Sequence, residues 1–138
     1  MRTGEHVFVD TGAWLALALT RDPLHPRAVE TWSQLASAGA RLHTSVPIVV
    51  ETFTFLDRNA TRRVAIGWKD SLEVVSRLRV WSCTSRDLAA AWKYFDRPDL
   101  HKLSAVDALS FVLMARRRIR IAFAFDGHFA AAGFRMVG

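Results

Sequence analysis

Residues 5–19 of the chain read E-H-V-F-V-D-T-G-A-W-L-A-L-A-L, and this stretch decides the fold class. The apolar run from Val7 to Val9 ends at Asp10, which predicts a short buried strand. Residues 13–19 are almost all apolar, which predicts a helix that is buried on most of its sides. The stretch therefore predicts a strand followed by a helix, the repeating unit of α/β proteins.

The same alternation continues along the chain. Helical spacing of apolar residues predicts helices over 27–38, from Ser45 to about Arg58, over 61–78, over 86–95, and from Ser104 to the basic residues at 116–118. Short strands are predicted at 41–44, 80–82, 120–126 and 134–137. This order predicts one domain over residues 1–138, with helices on both faces of a mostly parallel sheet of four to five short strands.

Composition indicates the chemical class of the binding partner and the cellular compartment. The 138 residues carry a formal net charge of +6, which favours a polyanionic partner. Cys83 is the only cysteine, so an internal disulfide and a cysteine zinc site are both excluded. Apolar runs such as residues 14–19 are too short to cross a bilayer, and we expect a soluble cytoplasmic protein with no membrane partner.

Four acidic residues lie in apolar surroundings. Asp10 and Asp126 each end a predicted strand, whereas Glu51 and Asp107 lie within apolar helices. A buried carboxylate is costly unless it is paired or binds a metal ion. Because ligands collect at the carboxyl ends of parallel strands, Asp10 and Asp126 are expected to lie close together. Four convergent carboxylates would repel one another without a multivalent cation.

Each acid also has an ordinary structural explanation. Asp10 and Asp126 are placed where an aspartate often caps a helix or a turn. Ser104 and Asp107 have the spacing of a capping box, which would make Asp107 a helix cap. Taken together, the four acids favour a site for Mg²⁺ or Mn²⁺, because oxygen ligands suit these hard cations. His128 is a further candidate for contact with the metal ion or with phosphate.

Four segments resemble the PIN-domain toxins of the VapC type. They are V-F-V-D-T-G-A-W-L-A-L at 7–17, V-V-E-T-F-T-F-L at 49–56, L-S-A-V-D-A-L-S-F-V-L-M-A-R-R at 103–117 and I-A-F-A-F-D-G-H-F-A-A-A-G-F at 121–134. The resemblance spans nearly the whole chain and retains all four acidic positions. It implies a PIN-like fold and an Mg²⁺- or Mn²⁺-dependent endoribonuclease, the toxin of a type II toxin–antitoxin pair.

The resemblance also implies roles for particular residues and partners. It assigns Asp10, Glu51, Asp107 and Asp126 to metal binding and RNA cleavage, and it places Thr11 and Ser104 in the site. It further implies a homodimer, neutralised by a small antitoxin.

Two alternatives to this function remain open from the sequence. The turn D-T-G-A at 10–13 resembles that of retroviral-type aspartic proteases, but those proteins are nearly all β and would leave Glu51 and Asp107 unexplained. A non-catalytic module could instead bind RNA or a protein partner through its basic surface alone. Intact acids disfavour such a module, since carboxylates repel phosphate when no metal is bound.

Two groups of arginines could bind RNA phosphates. Arg58, Arg62 and Arg63 flank the junction between two predicted helices, and a denser run lies at 116–120. Cations at 116–118 are explained by the helix C-terminus, which lies opposite the end that carries Asp107. The sequence therefore favours Arg58, Arg62 and Arg63 as the RNA contacts.

Overall fold

The structure, a computed structural model, describes residues 3–138. Its strands are β1 His6–Val9, β2 Arg41–Ser45, β3 Leu78–Trp81, β4 Ile121–Phe123 and β5 Arg135–Val137. Its α-helices are α1 Thr11–Ala18, α2 His25–Ser37, α3 Val46–Asn59, α4 Arg62–Leu72, α5 Ser85–Ala91, α6 Ala105–Arg116 and α7 His128–Ala131, and a short 3-10 helix covers Trp92–Asp96.

The described strands form one parallel sheet in the order β3-β2-β1-β4-β5. From β1 the chain builds outward to β2 and β3 on one side, and β4 and β5 are added on the other. Helices α1 to α4 contact one another, and α5, α6 and α7 form a second group. Right-handed crossovers in opposite directions place these groups on opposite faces of the sheet. The predicted α/β fold with helices on both faces is confirmed.

Aromatic side chains fill much of the core. Phe8 and Phe123, on the paired strands β1 and β4, are fully buried. The Phe111 ring of α6 packs edge-on against Phe129 of α7, with ring centroids 5.1 Å apart. This core packs tightly around β1 and β4. The residues that directly follow these two strands are therefore held in fixed positions.

Hydroxyl side chains cap the N-termini of α3 and α4. The Ser45 hydroxyl accepts a hydrogen bond from the Ile48 amide at 3.3 Å, and Thr61 does the same for Val64 at 3.1 Å. Such caps satisfy amides that have no partner within the helix. The helix predicted to start at Ser45 is therefore confirmed, and it carries Glu51 in its second turn.

Several predicted elements have different bounds in the structure. The helix predicted over 86–95 is α-helical only to Ala91 and continues as a 3-10 helix. The helix predicted over 61–78 ends at Leu72, because Arg77 adopts a left-handed backbone with φ of 63° and Leu78 begins β3. The apolar spacing continues through Val75 only because that side chain also packs on the core from a turn. The strand predicted over 120–126 stops at Phe123, so Asp126 lies in the turn before α7.

Over residues 3–138, none of the helices is both long and apolar enough to span a bilayer.

Candidate active site

The four predicted acids gather at the carboxyl end of the sheet, where its winding changes direction. Asp10 directly follows β1, and its amide donates a hydrogen bond to the Phe123 carbonyl of β4 at 3.0 Å. Asp126 follows the same strand β4 after a short turn. In open α/β sheets this switch point between oppositely directed crossovers is the usual place for a ligand crevice. The β1–β4 pairing thus brings Asp10 and Asp126 to the same edge of the sheet.

Asp10 is the most buried acid of the group, with 4% of its surface exposed. Its side chain makes no capping hydrogen bond to α1, and its Oδ1 atom is buried without a hydrogen-bond partner among residues 3–138. Burial and repulsion by Asp107 and Glu51 raise the pKa of Asp10 from 3.8 to about 7. The amides of Thr11 and Gly12 at the start of α1 oppose this rise only in part, so helix capping alone does not account for the burial of Asp10.

Glu51 reaches the site from α3 and is oriented by Thr11. The Thr11 hydroxyl donates a hydrogen bond to Glu51 Oε1 at 2.6 Å. Thr11 is the first residue of α1, so the two helices that follow β1 and β2 are joined at the site. Glu51 is also close enough to raise the pKa of Asp10. The structure therefore brings Glu51 and Thr11 together beside Asp10.

Asp107 is both a helix cap and a member of the acidic group. The Ser104 hydroxyl accepts from the Asp107 amide at 3.0 Å, and an Asp107 carboxylate oxygen accepts from the Ser104 amide at 3.4 Å. Burial and repulsion by Asp126 raise the pKa of Asp107, although the contacts with Ser104 and His128 oppose the rise. The two explanations of Asp107 are thus compatible, since one carboxylate serves both the cap and the cluster.

His128 contacts two of the four acids, Asp126 and Asp107. Its Nδ1 atom lies 2.9 and 3.0 Å from the two Asp126 carboxylate oxygens and 3.5 Å from an Asp107 oxygen. Its Nε2 atom is hydrogen-bonded to the His101 carbonyl. A carbonyl and a carboxylate are both acceptors, so the two contacts together favour an imidazolium that donates from both nitrogens. Burial lowers the pKa of His128, but these contacts outweigh it and the net shift is upward.

Three of these side chains are spaced to hold a single ion when the His128 ring is neutral. Ligand atoms of Asp107, Asp126 and His128 lie within 4.8 Å of one another. Repulsion from Asp107 and Glu51 acts on Asp10, so the acids form one continuous electrostatic group. An acidic cluster suited to a metal ion is therefore present. The hydrogen bond between the His101 carbonyl and His128 could not be predicted from the sequence, because any residue type supplies a carbonyl.

The arginines predicted to bind RNA lie away from this cluster, around the junction of α3 and α4. Arg62 is engaged with Asp57 through two hydrogen bonds of 2.7 and 3.0 Å. Arg58 and Arg63 are exposed. Arg58 comes seven residues after Glu51, which places it on the same helix face roughly 10 Å along the axis. This geometry places Arg58 where it can meet a ligand that approaches Glu51, and Arg63 is exposed in the first turn of α4.

The model of the PIN domain family matches residues 7–135, and the chain belongs to this family. VapC20 of Mycobacterium tuberculosis, a 23S rRNA-specific endonuclease, is 37% identical over 128 residues, which cover 93% of this chain and 95% of VapC20. The crystal structure of that protein, a toxin that cleaves the sarcin-ricin loop, has a TM-score of 0.82, with 36% identity and coverage of 93% and 95%. FitAcB from Neisseria gonorrhoeae, at 15% identity and a TM-score of 0.67, shares the fold, with 96% of each chain covered.

These likenesses confirm the predicted family and the prediction that the chain is an endonuclease of the toxin type. The aspartic protease alternative is excluded, because such enzymes are nearly all β and this sheet is parallel with helices on both faces.

Proposed function

We propose that the protein is an Mg²⁺- or Mn²⁺-dependent endoribonuclease in which Asp10, Glu51, Asp107 and Asp126 hold the cation. The observation that carries the proposal is the Asp10 carboxylate, which is 4% exposed and has a buried oxygen without a donor. A charged group in this position is unfavourable by itself and becomes favourable beside a cation. The donors around it are carboxylate oxygens, which suit Mg²⁺ and Mn²⁺.

The residues of the chain have distinct parts in the proposed reaction. A divalent cation, when bound, supplies positive charge that stabilises the phosphorane-like transition state and makes an attacking water more acidic. Thr11 holds Glu51 in place through its 2.6 Å hydrogen bond, and Ser104 holds the helix end that carries Asp107. His128 holds the Asp126 carboxylate in place through its Nδ1 atom, and the His101 carbonyl fixes the other side of the ring.

The likeness to VapC20 supports a structured RNA loop as the substrate. VapC20 is specific for 23S rRNA and cleaves its sarcin-ricin loop. The net charge of +6 in this chain favours the same class of polyanion. We propose an equivalent loop in ribosomal RNA as the target, and hence a cytoplasmic site of action. Arg58 and Arg63 are proposed to contact its phosphates, with Arg62 in a secondary part because Asp57 holds its guanidinium.

A toxin of this type requires a partner that restrains it. We propose that a small antitoxin covers the acidic cluster and that the chain forms a homodimer. The exposed apolar side chains Val46 and Val50 support a protein partner on α3, because they are 46% and 59% exposed and stand next to Glu51. A partner that buries them would also block access to the acids.

The test is cleavage of a synthetic sarcin-ricin hairpin by the wild type and by Asp10→Asn, with Mg²⁺, with Mn²⁺ or with EDTA. We expect a cut within the loop only when a cation is present, and loss of at least ~100-fold in rate for the variant. Asp87→Asn is the matched control, since Asp87 is equally buried but pairs with Arg116 far from the acids. Full activity in EDTA would refute the metal mechanism. Binding without cleavage under all conditions would favour the non-catalytic alternative.

A further inference from the structure

A second polar site lies at the opposite, amino-terminal edge of the sheet. A pocket there is lined by His6, Arg41, Leu42, His43, Arg77, Leu78 and Arg79. It contains three arginines and two histidines and no carboxylate. Within residues 3–138 none of these arginines takes part in an ion pair, unlike Arg62, Arg97 and Arg116. A cleft with unneutralised guanidinium groups attracts anions.

Strand register aligns the positive charge of this edge. His6 pairs with Arg41 across β1 and β2, and His43 pairs with Arg79 across β2 and β3. Side chains at paired positions of neighbouring strands point to the same face. His6, Arg41, His43 and Arg79 therefore share one face of the sheet. Continuing the same register, Arg77 lies level with Arg41 and Arg120 lies level with His6, a row of roughly 14 Å across four strands.

A chain of hydrogen bonds orients the histidines toward the pocket. The Trp81 indole can only donate, and it donates to His43 Nδ1 at 2.9 Å. His43 must then carry its proton on Nε2, which lies 2.8 Å from His6 Nδ1 and donates to it. His6 is thereby left with an N–H on Nε2 that is available to a ligand. Burial and the nearby Arg79 and Arg117 guanidinium groups lower the pKa of His43 to about 4, so the relay holds at neutral pH.

The arginines are also held in place. Arg77 Nη1 donates to the Gly39 carbonyl at 2.6 Å. Gly39 has a φ of 62°, a left-handed backbone conformation that favours glycine. The Arg79 and Arg117 guanidinium groups lie 4.4 and 3.7 Å from the centre of the Trp81 ring. Arginines fixed in this way lose little side-chain entropy when they bind an anion.

We propose that this pocket is a second RNA-binding site, in which Arg41, Arg77, Arg79 and His6 bind a phosphate group of the RNA backbone. The choice of RNA rests on the proposed function. The acidic cluster repels phosphate when no cation is bound, so attraction of RNA must come from another surface. Helix α6 carries Asp107 in its first turn and runs toward this edge over 12 residues, or about 18 Å. The pocket therefore binds RNA outside the cleaved loop.

The test is a titration of a fluorescent RNA hairpin with a long stem, followed by anisotropy at several salt concentrations in EDTA. Under the proposed function nothing is cleaved in EDTA, so the result is independent of catalysis. We expect Arg41→Gln with Arg79→Gln to weaken binding by roughly ten-fold and to reduce the slope of log affinity against log salt by about 1.4 to 1.8. Arg21→Gln with Lys93→Gln removes the same charge from exposed positions outside the pocket and should change neither quantity by as much.

Three further arms separate the possible ligands. An RNA that contains the loop sequence without a stem should bind the pocket variant and the control variant with equal affinity. An unchanged salt slope for the pocket variant would overturn the proposal. Loss of poly-glutamate or inorganic phosphate binding in this variant, with hairpin binding intact, would also overturn it in favour of an acidic protein or a free anion. Arg79→Gln alone, on an edge strand, provides the same test if the double variant melts early.

Discussion

Asp10→Asn should stabilise the metal-free protein at alkaline pH even though it abolishes cleavage. The folded protein raises the pKa of Asp10 from 3.8 to about 7, mainly through burial and through repulsion by Asp107. Between these values the unfolded chain ionises while the folded one stays protonated, so stability falls as the pH rises. Above pH 7 the loss is complete. Asparagine has the same shape, carries no charge, and can donate to a neighbouring carboxylate.

The size of the effect follows from the pKa change. A rise from 3.8 to about 7 corresponds to about 4 kcal/mol of unfolding free energy. For a chain of 138 residues this is roughly 12 °C in melting temperature. We therefore expect Asp10→Asn to melt like the wild type near pH 4 and up to that amount higher at pH 8. Added Mn²⁺ should stabilise the wild type more than the variant.

Thermal melts from pH 4 to pH 8, with EDTA or Mn²⁺, provide the measurement. Asp87→Asn is the control, because Asp87 is as buried as Asp10 but its contacts with Thr84 and Arg116 lower its pKa. That variant should lose stability at neutral pH, and the loss should shrink as the pH falls through the acid range. A lower melting temperature for Asp10→Asn at pH 8, or a difference that does not change with pH, would show that Asp10 is structural.

Two further predictions concern the surroundings of the cluster. Thr11→Val should reduce cleavage about ten-fold with little change in melting temperature, because Glu51 loses the donor that orients it; normal rates at limiting Mn²⁺ would contradict this role. Arg63→Ala should weaken RNA binding and lower the salt slope by ~0.7 to 0.9, whereas Arg62→Ala should do less because Asp57 already neutralises Arg62; equal effects in binding titrations would contradict this order.

The acidic cluster could be predicted because each acid lies within a short apolar stretch whose secondary structure is recognisable from the sequence. An acid that ends a buried strand, such as Asp10, must lie at the carboxyl edge of a parallel sheet. Asp126 reaches the same edge from the turn after β4. An acid in an apolar helix, such as Glu51, needs a buried partner wherever it lies. The approximate positions of these side chains therefore follow from local pattern and from general rules of α/β topology.

Other features depend on contacts between distant segments and could not be predicted. The helix α4 ends before its apolar stripe does, because Val75 packs from a turn and Leu78 pairs with Leu42. The sequence names His128 as a candidate site residue, but it does not predict that His128 starts α7 and contacts two acids. The amino-edge pocket depends on the register of β1, β2 and β3, which no single stretch of sequence specifies.

The winding of the sheet divides the acids between the two halves of the chain. Asp10 and Glu51 lie in the part that ends with β3, and Asp107 and Asp126 lie in the part that follows. A ribosome that has made only the first part has produced two of the four acids of the cluster and none of strand β4. Under the proposed mechanism, a nascent or truncated chain cannot cut the RNA of the ribosome that is making it. Toxicity would begin only when synthesis is nearly finished and β4 has paired with β1.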